Sequence, residues 1–342
     1  MYLFTCKIIY CHYCLYNKSP PAVFRFSVQP HVVRITTLFA AFFYARIHNM
    51  RVAVLTDTNS GITIDDGRKD GIYVLPMPFI VNDKEYLDCV NLSHDEFYAF
   101  LSQGAEVTTS QPAAGDVISM WDRILDDGYD EIVYIPMSSG LSGSCANALV
   151  YASDYDGKVQ VVNNQRISVT QRQSVLDAVK LAAKGLSASE IKDILERVKF
   201  ESSIYITVDT LEYLKKGGRV TPAGAALAKI LNLKPILSIQ GEKLDAFSKC
   251  RGIKQAKTIM LNAIKNDIDT RFGGYDPSSP AVRLAVAHSN NLEAAKEFAE
   301  EIKNVFPGCD VYIDSLPLSI SCHIGPGSLA IACSKTVPEC SE

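Results

Sequence analysis

Four short polar segments hold most of the side chains able to bind or transform a ligand. They are Thr56-Asp57-Thr58-Asn59-Ser60, Thr108-Thr109-Ser110-Gln111-Pro112, Ser138-Ser139-Gly140-Leu141-Ser142-Gly143 and His323-Ile324-Gly325-Pro326-Gly327. The third follows a predicted strand and opens a helix at about Ser142, where free backbone N–H groups and the helix dipole favour an anion. A phosphate-binding P-loop needs Lys and then Ser or Thr after its last Gly, and none follows Gly143. A nucleophile elbow needs G-x-S-x-G, and here the second Gly comes one place too early. There remains a cradle of hydroxyl and N–H groups for a carboxylate or similar anion, beside the plainer reading of a capped helix with turn serines. His323 adjoins Gly-Pro-Gly, a tight turn that can aim a side chain, although a lone His is as often a satisfied polar residue. Arg219 follows Lys215-Lys216-Gly217-Gly218 and is the cation of that group best placed to turn inward, the lysines reading as a solvated helix end. The same residues allow a rival assembly, a serine hydrolase using Ser138, Ser139 or Ser142 with His323 and an acid such as Asp314. A polar small-molecule binding module is a third reading.

The elements that must position these groups alternate from Met50 onward in the manner of an α/β protein. Strands are predicted at Val52–Thr56, Glu131–Ile135, Val159–Val162, Ile204–Val208, Ile236–Ile239, Arg283–Ala287 and Val311–Ile313. One amphipathic helix places Val117, Met120, Trp121, Ile124 and Leu125 on a face, and another does so with Leu292, Ala295, Phe298, Ala299, Ile302 and Val305. Trp121 is thus a core residue. Ser93 with Glu96 and Ser187 with Glu190 form capping boxes ahead of apolar-periodic runs. Residues 273–280, rich in Gly, Pro and Ser, read as a surface loop.

Charge divides the chain unevenly. Of 34 Lys and Arg, five lie in residues 1–49, which hold no Asp or Glu, so all 38 acidic residues lie beyond. Met50 then leads straight into a buried-strand pattern. Residues 1–49 are expected to be an extension, either an upstream-start artefact or poorly ordered, since a signal peptide's basic start, apolar centre and cleavage site do not follow in order. Cys11 and Cys14 have metal-ligand spacing but no second pair, and the seven later Cys are scattered, so no metal is expected and reduced thiols of a cytoplasmic protein are. The net charge of −4 leaves no basic footprint for nucleic acid. The longest strongly apolar run, Leu38–Ala45, is far short of the roughly 20 residues that span a bilayer.

Six segments in order, covering residues 50 to about 335, resemble the DegV family. They are Thr56-Asp57, Thr109-Ser110-Gln111-Pro112, Ser138 through Gly143, Leu211-Glu212-Tyr213-Leu214 with Gly217-Gly218-Arg219, Lys234-Pro235-Ile236, and His323 through Gly327. The resemblance implies an α/β, two-domain DegV-like fold with a ligand tunnel near the domain junction, divided here as residues 50–170 and 171–342. It implies a long-chain fatty acid in that tunnel, its carboxylate presented to a separate ATP-dependent fatty acid kinase subunit that makes the acyl-phosphate. The family's binding residues match Thr109, Ser110 and the Ser138–Ser139 pair, with Ser139 favoured, and Arg219 and His323 in the surrounding network. Transient contact with a membrane surface is implied, and no cofactor or chemistry of the chain's own. The sequence departs from the family at Ser144-Cys145, Asn163-Asn164 and Gln171-Arg172-Gln173. A Gln171 or Gln173 amide facing the tunnel would disfavour an acyl tail by about 1–3 kcal/mol.

Overall fold

A computed structural model describes residues 50–226, 233–278 and 281–340. The expected extension, with Cys11 and Cys14, lies outside the described residues, as do the last two residues of the 273–280 loop. In chain order the described strands are β1 Val52–Asp57, β2 Ile72–Leu75, β3 Pro78–Val81, β4 Lys84–Leu87, β5 Val107–Thr109, β6 Glu131–Ile135, β7 Val159–Val161, β8 Ser202–Thr207, β9 Lys234–Ile239, β10 Asp245–Cys250, β11 Val282–His288, β12 Val311–Ser315 and β13 Leu329–Lys335. The described helices are α1 Ile64–Asp70, α2 His94–Ser102, α3 Ala114–Asp126, α4 Ser144–Ala152, α5 Ser168–Ala183, α6 Ala188–Arg197, α7 Glu212–Gly217, α8 Pro222–Ala226, α9 Ile253–Arg271, α10 Leu292–Val305 and α11 Leu318–Ile324.

The first sheet is parallel, in the order β2-β1-β6-β7. Alternation along β1 and β6 sends Ala53, Leu55, Ile132 and Tyr134 to one face, against α3 and α4, and Val54, Val133 and Ile135 to the other, against α5 and α6. Trp121 is fully buried on α3, edge-on to Tyr134 and Tyr155. The second sheet runs β10-β9-β8-β13-β11-β12 and is antiparallel except for the β11–β12 pair. Its one face packs on α9 and α10. Its other face, with Ile204, Ile206, Leu237 and Ala332, packs on Leu141, Ile167 and Val169 of the first half and on α7 and α11. A small antiparallel sheet, β4-β3-β5, carries Thr109 at its edge.

The mixed α/β architecture is as predicted, and both capping boxes form. All seven predicted strands are present, within a few residues of their expected ends. Six described strands, β2 to β5, β10 and β13, are additions to them, and β13 is central in the second sheet. Leu292 and Val305, placed on the apolar face of α10, are 47% and 41% exposed because they cap its ends beyond the reach of the sheet. A division at 170/171 would cut the first turn of α5, and both α5 and α6 pack on the parallel sheet.

Candidate functional site

A cavity of about 220 Å³ opens where the loops of the first half meet α7 and α11. Its polar wall draws Thr109, Ser110 and Gln111 from the end of β5, Ser142 from the loop before α4, Arg219 from beyond α7 and His323 from α11. Ser319 and Ile320 stand one turn before His323 and Ile324, so α11 turns a single stripe, polar and apolar by turns, onto the cavity.

His323 is fixed from two sides. Its Nε2 lies 2.8 Å from Thr109 Oγ1. Its ring rests on Gly217, where any Cβ would fall within the imidazole. The same close approach recurs in and just before α7, since a Cβ on Gly325 would enter the Tyr213 ring and one on Gly327 would meet Asp209. These contacts couple the two segments: the His323 ring needs the bare Gly217, and Asp209 and Tyr213 need the bare Gly327 and Gly325. Gly218 (φ 68°) and Gly325 (φ 73°) also adopt left-handed backbone as the two helices end.

Arg219 donates from Nε to Leu141 O at 3.3 Å and from its terminal nitrogen to Gly217 O. Burial, and then the nearby Arg219, push the His323 imidazole down to about 4, so His323 is neutral at pH 7. Arg219 is therefore the one cationic side chain on this wall among the described residues, and no Asp or Glu lines it. His323 offers a hydrogen bond, and the charge is Arg219's.

The serines separate. Ser138 is buried, donates to Glu242 O at 3.0 Å and accepts from Gly140 N at 3.3 Å, so its hydroxyl closes a turn across the two halves. Neither Ser138 nor Ser139 lines the cavity. Ser142 does, and its Oγ also accepts from Ser144 N at 3.2 Å at the start of α4. Asn59 and Ser319 are further wall residues, joined by a 2.7 Å bond from Ser319 Oγ to Asn59 Oδ1. The i, i+4 spacing of Ser319 and His323 was the sequence signal for Ser319. Behind Asn59 sits Asp57, pushed up to about 6 by burial against the opposing bonds from Met137 N, Gln171 and Asn59.

Gln171 and Gln173 do not face this cavity. The Gln171 amide nitrogen donates to Thr56 Oγ1, Asp57 Oδ1 and Ile135 O at 3.1–3.2 Å, at the carboxyl ends of β1 and β6. Gln173 donates to Asp177 at 2.9 Å. The hydrolase set is likewise dispersed. His323 bonds to Thr109, while the half-buried Asp314 faces Gly61 and Tyr312.

Inward, the cavity meets an apolar chamber of about 50 Å³. Ile167, Leu244, Ile320 and Ile324 line both, and Ile204, Ile206 and Ile239 close the chamber's sheet side. The space is thus polar and cationic at one end and aliphatic at the other. Among the described residues no His/Cys/Asp/Glu cluster could hold a metal ion, the seven cysteines are free, and no helix is long and apolar enough to cross a membrane.

Fold and cavity define the class, an α/β protein of two sheet-centred halves with a bipolar cavity at their junction. A sequence profile described as "Uncharacterised protein, DegV family" matches residues 51–336, and the chain belongs to the DegV family. A DegV domain-containing protein of Clostridium acetobutylicum is 30% identical over 288 residues, covering 83% of this chain and 97% of that one. A structure described as fatty acid binding of a DegV family protein from Thermus thermophilus is similar with a TM-score of 0.76 at 28% identity, covering 84% of this chain and 100% of that one. DegV of Bacillus subtilis, described as a fatty acid binding protein, is similar with a TM-score of 0.73 at 27% identity, over 84% of this chain and 100% of that one.

Proposed function

We propose that this protein binds one long-chain fatty acid and presents its carboxylate to an ATP-dependent fatty acid kinase, which forms the acyl-phosphate. The observation that carries the reading is the bipolar cavity: Arg219, Thr109, Ser142 and His323 suit a carboxylate, and the aliphatic chamber suits a tail. Ser110 stands on the rim, and Ser142 takes the place first given to Ser139. The fatty acids described for the Thermus and Bacillus relatives support the same ligand class. Burying roughly 14 methylenes at about 0.8 kcal/mol each supplies on the order of 11 kcal/mol, so the tail sets affinity and the polar end sets register. A bilayer offers the tail a similar gain, so exchange with a membrane is close to balanced and needs only transient surface contact, at the cytoplasmic face where ATP is available.

Arg219 keeps the bound carboxylate ionised and nucleophilic, and neutral His323 and Thr109 orient it. The chain itself then needs no catalytic group. The test has two parts. Native mass spectrometry and organic extraction of the purified protein should yield about one fatty acid per chain, with no acyl group left covalently on a serine. Adding a fatty acid kinase and ATP should then yield acyl-phosphate. Recovery of a sugar phosphate or nucleotide would refute the ligand class, and turnover of a chromogenic ester would favour the hydrolase.

A further inference from the structure

Two buried side chains divide the inner end of the apolar chamber from a second space. Val169, in the first turn of α5, and Ala332, midway along β13, line the chamber and also line a second cleft of about 620 Å³ on its far side. This cleft lies between α5 and strands β11 to β13. Leu176, Val179 and Tyr312 give it apolar surface, while Arg172, Gln173 and Lys180 stand among its polar wall residues, the Gln173 amide being engaged by Asp177. The Arg172 guanidinium lies 4.6 Å from the Tyr312 ring centroid, which covers one face of that ring with charge. Free space is therefore distributed unevenly, with about 220 Å³ at the polar end, 50 Å³ in the chamber and 620 Å³ beyond it. Sites for ligands of this size are usually about 300–1,000 Å³; the first two spaces together fall just short of that range, and the third carries the total well inside it.

The side chains at the passage are small where their neighbours are large. Across the β8–β13 ladder, Ala332 stands opposite Ile204 and Ala330 opposite Ile206, so β13 gives up volume along the line from chamber to cleft. We propose that Val169 and Ala332 form a chain-length gauge: acyl tails that outgrow the chamber pass between them, and the methyl end of a longer chain lies in the cleft against Leu176 and Val179. This rests on the fatty-acid reading above and adds to it which chains are accepted. Short chains end before the gauge. Long chains gain the burial of their last methylenes in the cleft and so are held longer.

A native thiol reports on the cleft. Cys309 lines it and is partly exposed, whereas the exposed Cys89 stands elsewhere. The full chain would be loaded with decanoic or with eicosanoic acid and the stoichiometry checked by native mass spectrometry. Maleimide labelling of both thiols would then be followed by peptide mass spectrometry. Eicosanoic acid should slow labelling of Cys309 several-fold relative to decanoic acid and leave Cys89 unchanged. Equal Cys309 rates with both acids bound one to one overturn the gauge and leave the fatty-acid reading standing. Failure to retain either acid overturns both. Ala332→Leu, which fills the passage, should lower the preference for eicosanoic over decanoic acid several-fold. An unchanged ratio in that variant also overturns the gauge.

Discussion

The two ends of the cavity are built by opposite means. The polar end gathers Asn59, Thr109, Ser142, Arg219 and His323 from five separate segments, and glycines or specific hydrogen bonds fix the ones that matter most. The apolar end is one face of a sheet, Ile204, Ile206 and Ile239, closed by Ile167 and Ile320. A hydrogen bond tolerates little error in direction, while an aliphatic wall needs only volume and the absence of polarity. The polar end should therefore fail by loss of particular atoms, and the apolar end only by a change of character.

The largest effect is expected from a change of character. Ile320→Asp places an unpaired charge where the cavity meets the chamber, and should cost about 3–5 kcal/mol in denaturant unfolding and abolish lipid retention. Retention of a full equivalent of fatty acid by a folded Ile320→Asp protein would break the comparison. Ile320→Leu, of equal volume, should retain lipid as the parent does.

Next comes a pH effect that belongs to the polar end alone. The unfolded chain takes up a proton on His323 near the free-imidazole value of about 6.5, whereas the folded chain resists until about 4. His323 therefore removes stability as pH falls between those values. In His323→Ala that loss is gone, so the variant's stability relative to the parent should improve by about 2–3 kcal/mol on going from neutral pH to about pH 4. Asp57 acts with the opposite sign. Its folded-state value is raised to about 6, so its contribution is fully present below about 3.8 and is lost as pH rises through about 6. The two offset each other in the parent and are separated in the variant. Melting curves across that range that stay parallel for the two proteins would show His323 to be solvated.

Arg219→Ala should weaken fatty acid binding by about 1.5–3 kcal/mol, read as a faster transfer of lipid to vesicles, because the carboxylate loses its charge partner but the tail keeps its burial. Ser142→Ala should cost less, about 0.5–1.5 kcal/mol in the same assay, and Ser139→Ala should cost nothing measurable. Equal losses for the two serines would return Ser139 to the wall and sharpen which face of the loop meets the ligand.

Legibility followed the same division. Thr109, Ser110, Arg219 and His323 were marked by polar residues beside Gly and Pro at element ends, and all four line the cavity. Spacing did not show that Ser138 is engaged in a turn, because its partner, Glu242, lies a hundred residues away. The Gln171 reading missed for a related reason: its amide is absorbed by the ends of β1 and β6, a meeting of distant segments. The buried-strand pattern was visible in β1, β6 and β8 but not in the short strands β2, β3 and β5, although these too are rich in β-branched residues. Strand β13, Leu-Ala-Ile-Ala-Cys-Ser-Lys, hides because Ala, Cys and Ser carry little strand preference, and tertiary burial makes it a strand. No apolar residue of the chamber was identifiable, since an isoleucine facing a cavity has the same sequence pattern as one facing a core.

The turn at Ser138 bears on motion as well as on architecture. Besides the bond from its hydroxyl to Glu242 O, Ser138 N donates to Arg166 O at 2.8 Å, and Gly140 lies so near Glu242 that a methyl group there would collide with its backbone. The loop that supplies Ser142 is thereby latched to both a neighbouring loop and the β9–β10 turn. A hinge that parted the two sheets would have to break this latch and uncover a buried serine in the same step. Ligand exchange is then expected on the timescale of local helix or loop excursions, with the amides of residues 138 and 140 among the slowest to exchange hydrogen during many rounds of lipid entry and release.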